Sequence, residues 1–149
     1  MQILKYATAA LCLTTACAAF AANGRQAPIE VENGWVRWLP GDLPAAGYLT
    51  ISNHGGQPVA LVKESSPDYE KVMLHRSVTA HGSERMEMVE RLPVPAHGKA
   101  AMSPGNYHLM LMHARHPIAP GDEIHVTLRF SDGSTVNAAL QVRPANQLK

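Results

Sequence analysis

Short hydrophobic runs recur along most of this chain, and Pro or Gly residues separate one run from the next. The runs are rich in Val, Ile, Leu and Thr, which favour the pleated, half-buried setting of a β-strand. Regular punctuation of this kind is typical of an antiparallel β-sandwich or barrel. We therefore predict an all-β fold without a long amphipathic helix. The predicted strands span residues 29–38, 47–53, 59–64, 71–78, 85–91, 98–102, 107–113, 123–130 and 135–142.

Two of the separating segments have the composition of defined turns. Asp132 and Gly133 suit a tight hairpin between the last two predicted strands. Residues 103–106 read Ser-Pro-Gly-Asn, which places Pro and Gly where a type II turn requires them. The turn chemistry therefore agrees with the strand bounds on either side.

Alternation along two of the strands separates an apolar face from a face that carries His and Met, because successive strand residues point to opposite sides of a sheet. The apolar set is Val72, Leu74, Val78, Tyr107, Leu109 and Leu111. The opposite set is Met73, His75, His108, Met110 and Met112. The hydrophobic pattern thus places His and Met away from the core on both strands.

The strand at 85–91 is less regular, since Met86 and Met88 alternate with charged residues and could themselves form the buried face. Methionine is a common core filler, so we interpret Met88, Met102 and Met112 as packing residues. Four other histidines are interpreted as surface or hydrogen-bonded residues: His54, His81, His97 and His125. Alternation by itself leaves metal binding and packing both open for His75, Met86, His108 and Met110.

Methionine supplies the chemical argument for a metal. All methionines after Met1 lie between Met73 and Met112. Thioethers and neutral imidazoles form a soft ligand set, and among biologically available metals this set favours monovalent copper. We therefore interpret the window first as a copper site.

The first 22 residues resemble a secretory signal peptide, with Lys5 near the start, an apolar stretch after it and small residues near Ala21. The apolar part is short for a membrane span. We expect cleavage near Ala21 and a periplasmic protein without stable membrane insertion. A lipoprotein anchored through Cys17 is the less favoured alternative, because Thr14 stands where a lipid-attachment signal usually has Leu.

Both cysteines, Cys12 and Cys17, belong to this leader. The mature chain would therefore contain no thiol, which excludes disulfides, thiolate zinc sites, a cysteine nucleophile and a blue-copper centre. Residues 23–149 suit a single domain. Without Lys5 they hold 12 basic and 12 acidic residues. That balance argues against nucleic-acid binding and against polybasic membrane attachment.

Spacing adds a more specific signal. The chain reads His75, ten residues, Met86, twenty-one residues, His108, one residue, Met110. This spacing resembles the signature of the periplasmic copper chaperone family known as PCuAC. The resemblance extends over nearly the whole mature chain, including the family's early strand at 45–53, its most distinctive segment at 105–112, and the turn and strand start at 117–118 and 121–122.

The resemblance implies a cupredoxin-like, Greek-key β-sandwich that carries one exposed Cu(I) per chain, held by His75, Met86, His108 and Met110. One departure is Arg76, where the family often has Met; by alternation Arg76 points away from His75, so the four ligands are expected to remain. The tail at 144–149 lacks the His and Met of members with a second copper site. We therefore expect a single site.

The resemblance also implies a function. In this family copper is supplied to respiratory oxidase assembly, notably to the dinuclear copper centre (CuA) of cytochrome c oxidase. We expect a monomeric copper chaperone, with oxidase subunit II or a thiol-bearing assembly factor as the recipient. Two alternatives stay open: a periplasmic copper-buffering or resistance protein without a delivery target, and a β-sandwich protein-interaction module.

An enzyme is not expected, since we find no Ser/His/Asp arrangement in a recognisable context and no phosphate-binding Gly loop. His113 and His116 could join His108 as nitrogen ligands for Cu(II). Pro117 follows His116 directly, however, and this favours a solvated turn.

Overall fold

A computed structural model describes residues 28–147 of the 149-residue chain, and ten β-strands account for the regular structure in that range. The strands are β1 (Ile29–Trp38), β2 (Ala45–Asn53), β3 (Val59–Ser65), β4 (Tyr69–Ala80), β5 (Ser83–Met88), β6 (Leu92–Val94), β7 (Gly98–Ala101), β8 (Tyr107–Ala114), β9 (Glu123–Phe130) and β10 (Thr135–Pro144). The predicted all-β class is confirmed. The expected leader, with Cys12 and Cys17, lies outside the described residues.

The strands form one hydrogen-bonded path in the order β5-β4-β8-β2-β1-β10-β9-β3-β6, and β7 pairs with β2 beside β8. All but one of these pairings are antiparallel, as expected. The exception is β1 with β10, which run parallel. Parallel strands cannot be joined by a short turn and need a long connection. Here the connection is the rest of the domain, because β1 and β10 lie at opposite ends of the described chain.

Side chains from both halves of the path meet in one hydrophobic core. Leu109 and Leu111 of β8 belong to the same buried cluster as Leu128 and Phe130 of β9. The path therefore folds so that its two halves face each other, as in a sandwich. A fully buried Leu or Phe contributes about 1.5 to 3 kcal/mol relative to an exposed one, so this cluster fixes the orientation of β4, β8 and β2.

The predicted strand at 85–91 corresponds to β5 alone, which starts two residues earlier and ends three residues earlier than predicted. Strand β5 ends at Met88, and β6 begins at Leu92 on the other end of the path, beside β3. Pro93 lies in β6, where an end strand tolerates a residue without an N–H donor. Over residues 28–147 no helix is long and apolar enough to cross a membrane.

Candidate metal centre

Two histidines face each other across the pair of strands β4 and β8, near one end of the strand path. His75 on β4 is directly opposite His108 on β8, and in the next row Met73 is opposite Met110. On its other side His75 is opposite Met88 of β5. Residues directly opposite in an antiparallel pair project to the same face. The predicted sharing of one face by His75, His108, Met73 and Met110 is therefore confirmed by the register.

His108 is more buried than a surface ligand was expected to be, with 3% of its surface exposed. Its Nδ1 lies 3.3 Å from the backbone oxygen of Asn106. Because a carbonyl only accepts, this contact places the proton on Nδ1 and leaves the Nε2 lone pair free. Among the described residues the buried Nε2 has no hydrogen-bond partner. A neutral imidazole fixed in this tautomer is the form that binds a metal.

His75, on the neighbouring strand β4, also has a ring nitrogen without a hydrogen-bond partner among the described residues. Its Nδ1 is buried and has no hydrogen-bond partner within residues 28–147. The two imidazole centroids are 5.9 Å apart, with the ring planes at 72°. With metal–nitrogen bonds of about 2 Å and roughly 1 Å from a ring nitrogen to its ring centre, two rings that share one ion have centroids at most about 6 Å apart, and the observed separation is within that limit. One ion between the rings would satisfy both nitrogens.

Burial lowers the pKa of His75 below its ordinary value, and the neighbouring His108 lowers it further. Both effects disfavour the imidazolium, because a buried ring pays for its charge and a second cation nearby would repel it. The ring is therefore kept neutral, which a metal ligand requires.

Two methionines on β5 extend this face towards solvent. Met86 is opposite Ser77 of β4 and is 57% exposed, whereas Met88, opposite His75, is 69% exposed. Neither side chain belongs to the core. The interpretation of Met88 as a packing residue is therefore wrong, and Met86 and Met88 do not form a buried face. The reason is position, since β5 ends the strand path in the described part of the chain and nothing there covers it. Packing is confirmed for Met102, which is 4% exposed.

Arg76 follows His75 on β4 and projects to the opposite face, as predicted. It is in register with Tyr107 and with Glu87, and its Nη2 lies 3.6 Å from Glu87 Oε2. Both side chains are nearly half exposed, so the pair contributes little to stability. Arg76 therefore leaves the face that carries His75 unobstructed.

A metal bound on this face would need thioethers to complete its coordination shell. Nowhere in residues 28–147 do three His, Cys, Asp or Glu side chains come together in a geometry that could hold a metal ion. The paired imidazoles supply two nitrogen donors, and the nearest additional donors in the register are methionines. A coordination set of two imidazoles and two thioethers suits Cu(I), because soft sulfur ligands select that ion.

A cavity of about 190 Å³ adjoins His108 on the same face. Its lining includes Arg37, Tyr48, Glu84, Met86 and His108. Burial raises the pKa of the Tyr48 phenol, and the positive charge of Arg37 opposes that rise. Arg37 Nε is buried and, in the part of the chain that the structure describes, has no hydrogen-bond partner.

Sequence reasoning missed Arg37. The register gives the reason, since Arg37 is opposite Ala46 on β2 and Ala46 is opposite Met110 on β8. The small Ala46 leaves room for the Arg37 side chain on the face that carries Met110 and His108. Alternation in β1 assigns Arg37 to one face of its strand. Only the pairing of β1 with β2, and of β2 with β8, shows that this is the face with His108.

His113 and His116 do not join His108. They lie at and beyond the far end of β8, where about 3.3 Å per residue separates His113 from His108 by roughly 17 Å along the strand. His116 Nε2 is 2.9 Å from Asp68 Oδ1, and both this contact and the carbonyl of Pro117 raise the pKa of His116. A larger cavity, of about 460 Å³, lies at this end beside both histidines. These residues belong to a separate polar cluster.

Sequence comparison connects the chain to described families. Residues 29–142 match the family model described as "Putative lipoprotein LpqE-like". A relative from Leifsonia xyli subsp. xyli (strain CTCB07), "Putative lipoprotein Lxx21020", is 34% identical over 122 residues, which cover 80% of this chain and 73% of the relative.

Structural comparison gives matches over most of the chain. The solution structure of CuI-DR1885 from Deinococcus radiodurans has a TM-score of 0.63 and 31% identity, covering 88% of each chain. The copper-bound PCuAC domain from PmoF2 has a TM-score of 0.66 and 23% identity, covering 79% of this chain and 94% of that domain. The second match, at its lower identity, establishes the fold.

Proposed function

The chain belongs to the LpqE-like, PCuAC-type family, and from this premise we propose that it is a copper chaperone that carries one Cu(I) per chain on the face of β4, β5 and β8. The observation that carries the proposal is the opposed pair His75 and His108, each with a buried ring nitrogen that lacks a partner within the described range. The Cu(I)-bound DR1885 structure, at 31% identity, supports the identity of the ion.

We assign His75, Met86, His108 and Met110 as the ligands. The two imidazoles would bind through His75 Nδ1 and His108 Nε2, the two nitrogens without partners among residues 28–147. Met110 lies two residues from His108 on the same face of β8, and Met86 lines the cavity beside that ring. Both assigned thioethers would thus lie on the side of His108.

Such a site suits transport better than electron transfer or catalysis. Cu(I) has a filled d shell and imposes little geometric preference, and neutral thioethers add no charge that would trap the ion. Met86 is exposed on an end strand, whereas His108 is buried in the sheet. Copper can therefore gain or lose its outer ligand while the inner ligand stays fixed by the fold.

A competition titration with a Cu(I) chelator under anaerobic conditions tests the assignment. We expect one Cu(I) per chain, and we expect Met86→Leu and Met110→Leu each to weaken binding, since Leu keeps the volume and removes the sulfur. Met102→Leu is the matched control, because that side chain is buried in the core. Unchanged stoichiometry and affinity in a His108→Ala, Met110→Ala double variant would refute the site.

Met88 is the second candidate for the outer thioether, because it is directly opposite His75. Met88→Leu distinguishes the two assignments. A larger loss of Cu(I) affinity for Met88→Leu than for Met86→Leu transfers the ligand role to Met88. X-ray absorption on the loaded protein then counts the sulfur atoms at copper.

Delivery to respiratory oxidase assembly is the physiological role we propose, with oxidase subunit II or a thiol-bearing assembly factor as recipient. A deletion strain separates this role from copper buffering. Loss of oxidase activity under copper limitation supports delivery, whereas copper sensitivity with normal oxidase supports buffering. Partner binding that chelators do not affect, by protein that contains no copper, would instead indicate an interaction module.

We place this activity outside the cytoplasm, after export by the leader at 1–22. The lipoprotein descriptions of the family and of the Leifsonia relative make attachment through Cys17 the second candidate for its location. Fractionation of Cys17→Ser decides between them. A shift from membrane to soluble fraction indicates lipid attachment, and an unchanged soluble distribution supports cleavage near Ala21.

A further inference from the structure

The cavity beside His108 contains a positive charge that the proposed copper ligands do not use. Arg37 lines it, and the buried Nε of Arg37 lacks a hydrogen-bond partner among residues 28–147. A buried donor without an acceptor is costly, so the position favours an acceptor that arrives from outside. Arginine binds most strongly to acceptors that carry negative charge.

The same cavity gives access to the proposed metal position. His108 and Met86 both line it, so a group that entered beside Arg37 would also lie beside two of the proposed ligands. The four proposed ligands are all neutral, and Cu(I) adds a charge of +1. An entering anion would therefore meet two cations, Arg37 and the metal, on one side of the sheet.

Glu84 is the acidic side chain that lines the cavity, and it opposes this attraction. It is exposed on β5, where solvent screens its charge. Arg37 is half-buried, and its Nε is shielded from solvent. The less screened charge is thus the positive one, and a small anionic group is favoured inside the cavity.

We propose that this cavity is the entry site for an anionic soft ligand, a thiolate, which takes copper from the protein with Arg37 as its electrostatic receptor. The inference rests on the proposed copper site and names the chemistry of the acceptor. A thiolate fits because it combines the negative charge that Arg37 attracts with the soft sulfur that Cu(I) selects. A nearby guanidinium also favours the thiolate over the thiol.

The exchange involves no change of oxidation state. The incoming thiol loses its proton to solvent, and its sulfur forms a bond to Cu(I) beside His108. The bond from copper to the Met86 thioether breaks, and Met86 swings away on the exposed end strand. Copper leaves as Cu(I) when the remaining protein ligands are replaced in turn.

Stopped-flow measurement of copper removal tests the role of Arg37. The Cu(I)-loaded protein is mixed anaerobically with 2-mercaptoethanol, which reacts as an anionic thiolate. A separate experiment uses neocuproine, a neutral nitrogen chelator. We expect Arg37→Gln to slow removal by the thiol roughly tenfold, a typical size for the loss of electrostatic attraction at a binding cleft. Removal by neocuproine should be unchanged.

Three variants keep the test specific. Arg37→Lys retains the charge and should keep most of the thiol-dependent rate. Arg76→Gln removes one positive charge next to His75 but on the opposite face, and should leave the rate unchanged. Glu84→Gln, at the exposed side of the cavity, should accelerate removal by the thiol.

Outcomes separate the inference from the proposed function. Equal thiol-dependent rates for the wild type and Arg37→Gln, with intact Cu(I) binding, overturn the inference alone. Equal slowing with thiol and neocuproine also overturns it, because the effect would then be on copper binding in general. A wild-type protein that does not bind Cu(I) overturns the proposed function and this inference with it.

Discussion

Replacement of Gly105 by Ala should weaken Cu(I) binding although Gly105 is not a ligand. Gly105 lies in the turn before β8 at φ +79°, and a Cβ placed there would meet no described atom within 4 Å. The cost is therefore conformational and not steric. An L-residue in the left-handed region costs about 1–2 kcal/mol.

This turn presents the backbone oxygen of Asn106 to two donors. Asn106 O accepts from the backbone N–H of Ser77, at 3.1 Å, and lies 3.3 Å from His108 Nδ1. A turn that shifts to relieve the strain moves this carbonyl and loosens the orientation of the His108 ring. If about 1.4 kcal/mol of strain is relieved in this way, copper affinity falls about tenfold.

Gly133→Ala is the matched control. Gly133 has φ +86°, with the same open space around its Cβ among the described atoms, but it lies in the hairpin between β9 and β10. Thermal unfolding of the apo-proteins should show a similar decrease in Tm for both variants. For a domain of this size each kcal/mol of lost stability lowers Tm by about 3–6 °C. Gly105→Asn should lower Tm less than Gly105→Ala, since Asn tolerates the left-handed region.

A Cu(I) competition titration then distinguishes the two sites. Only the Gly105 substitution should weaken binding. Equal copper affinity for Gly105→Ala and Gly133→Ala, at equal losses of stability, would show that the Asn106 carbonyl does not orient the His108 ring for copper binding.

Three further predictions concern the rest of the fold. Gly47→Ala should cost about 1–3 kcal/mol by overpacking, because its Cβ would lie 3.3 Å from Leu109 Cβ, whereas Gly56→Ala, with a nearest contact of 3.8 Å, should be nearly neutral in denaturant unfolding. Met102→Ala should destabilise by about 2–5 kcal/mol and leave Cu(I) affinity unchanged. The pKa of His116 is raised in the folded protein, first by its hydrogen bond to Asp68. The protonated ring therefore contributes stability below about pH 6.5, and this contribution is lost as the pH rises through the pKa of His116 in the folded state. His116→Gln should remove this pH dependence from unfolding curves measured across that range.

Alternation predicts the faces of β4 and β8 correctly because one face of each strand is buried against a core. A one-residue shift would expose Leu74 or Leu109, so the hydrophobic pattern determines which side chains point inward. The bounds of β1 and β9 were predicted for the same reason, together with turn residues that end them. The parallel pairing of β1 with β10 could not be predicted, since no local signal joins strands from opposite ends of the chain.

Register is the property that local patterns leave undetermined, and the site depends on it at two points. The spacing of His75 and His108 is compatible with several pairings, but only the observed one sets the rings opposite each other. The register also brings Arg37 to the cavity beside His108, although Arg37 belongs to a strand that neighbours β2 and not β8.

Strand position explains why Met88 was assigned wrongly. Period-two alternation predicts a buried face only when another layer covers the strand, and β5 is at an end of the described path. The same exposure that makes Met88 and Met86 poor packing residues would suit them as outer ligands of the proposed site, because a thioether that left copper there would lose no core contact. His108 is held by the core strand β8 and by the Asn106 carbonyl, so it stays in place. A carrier needs this asymmetry, with a fixed ligand towards the sheet and an exchangeable one towards solvent.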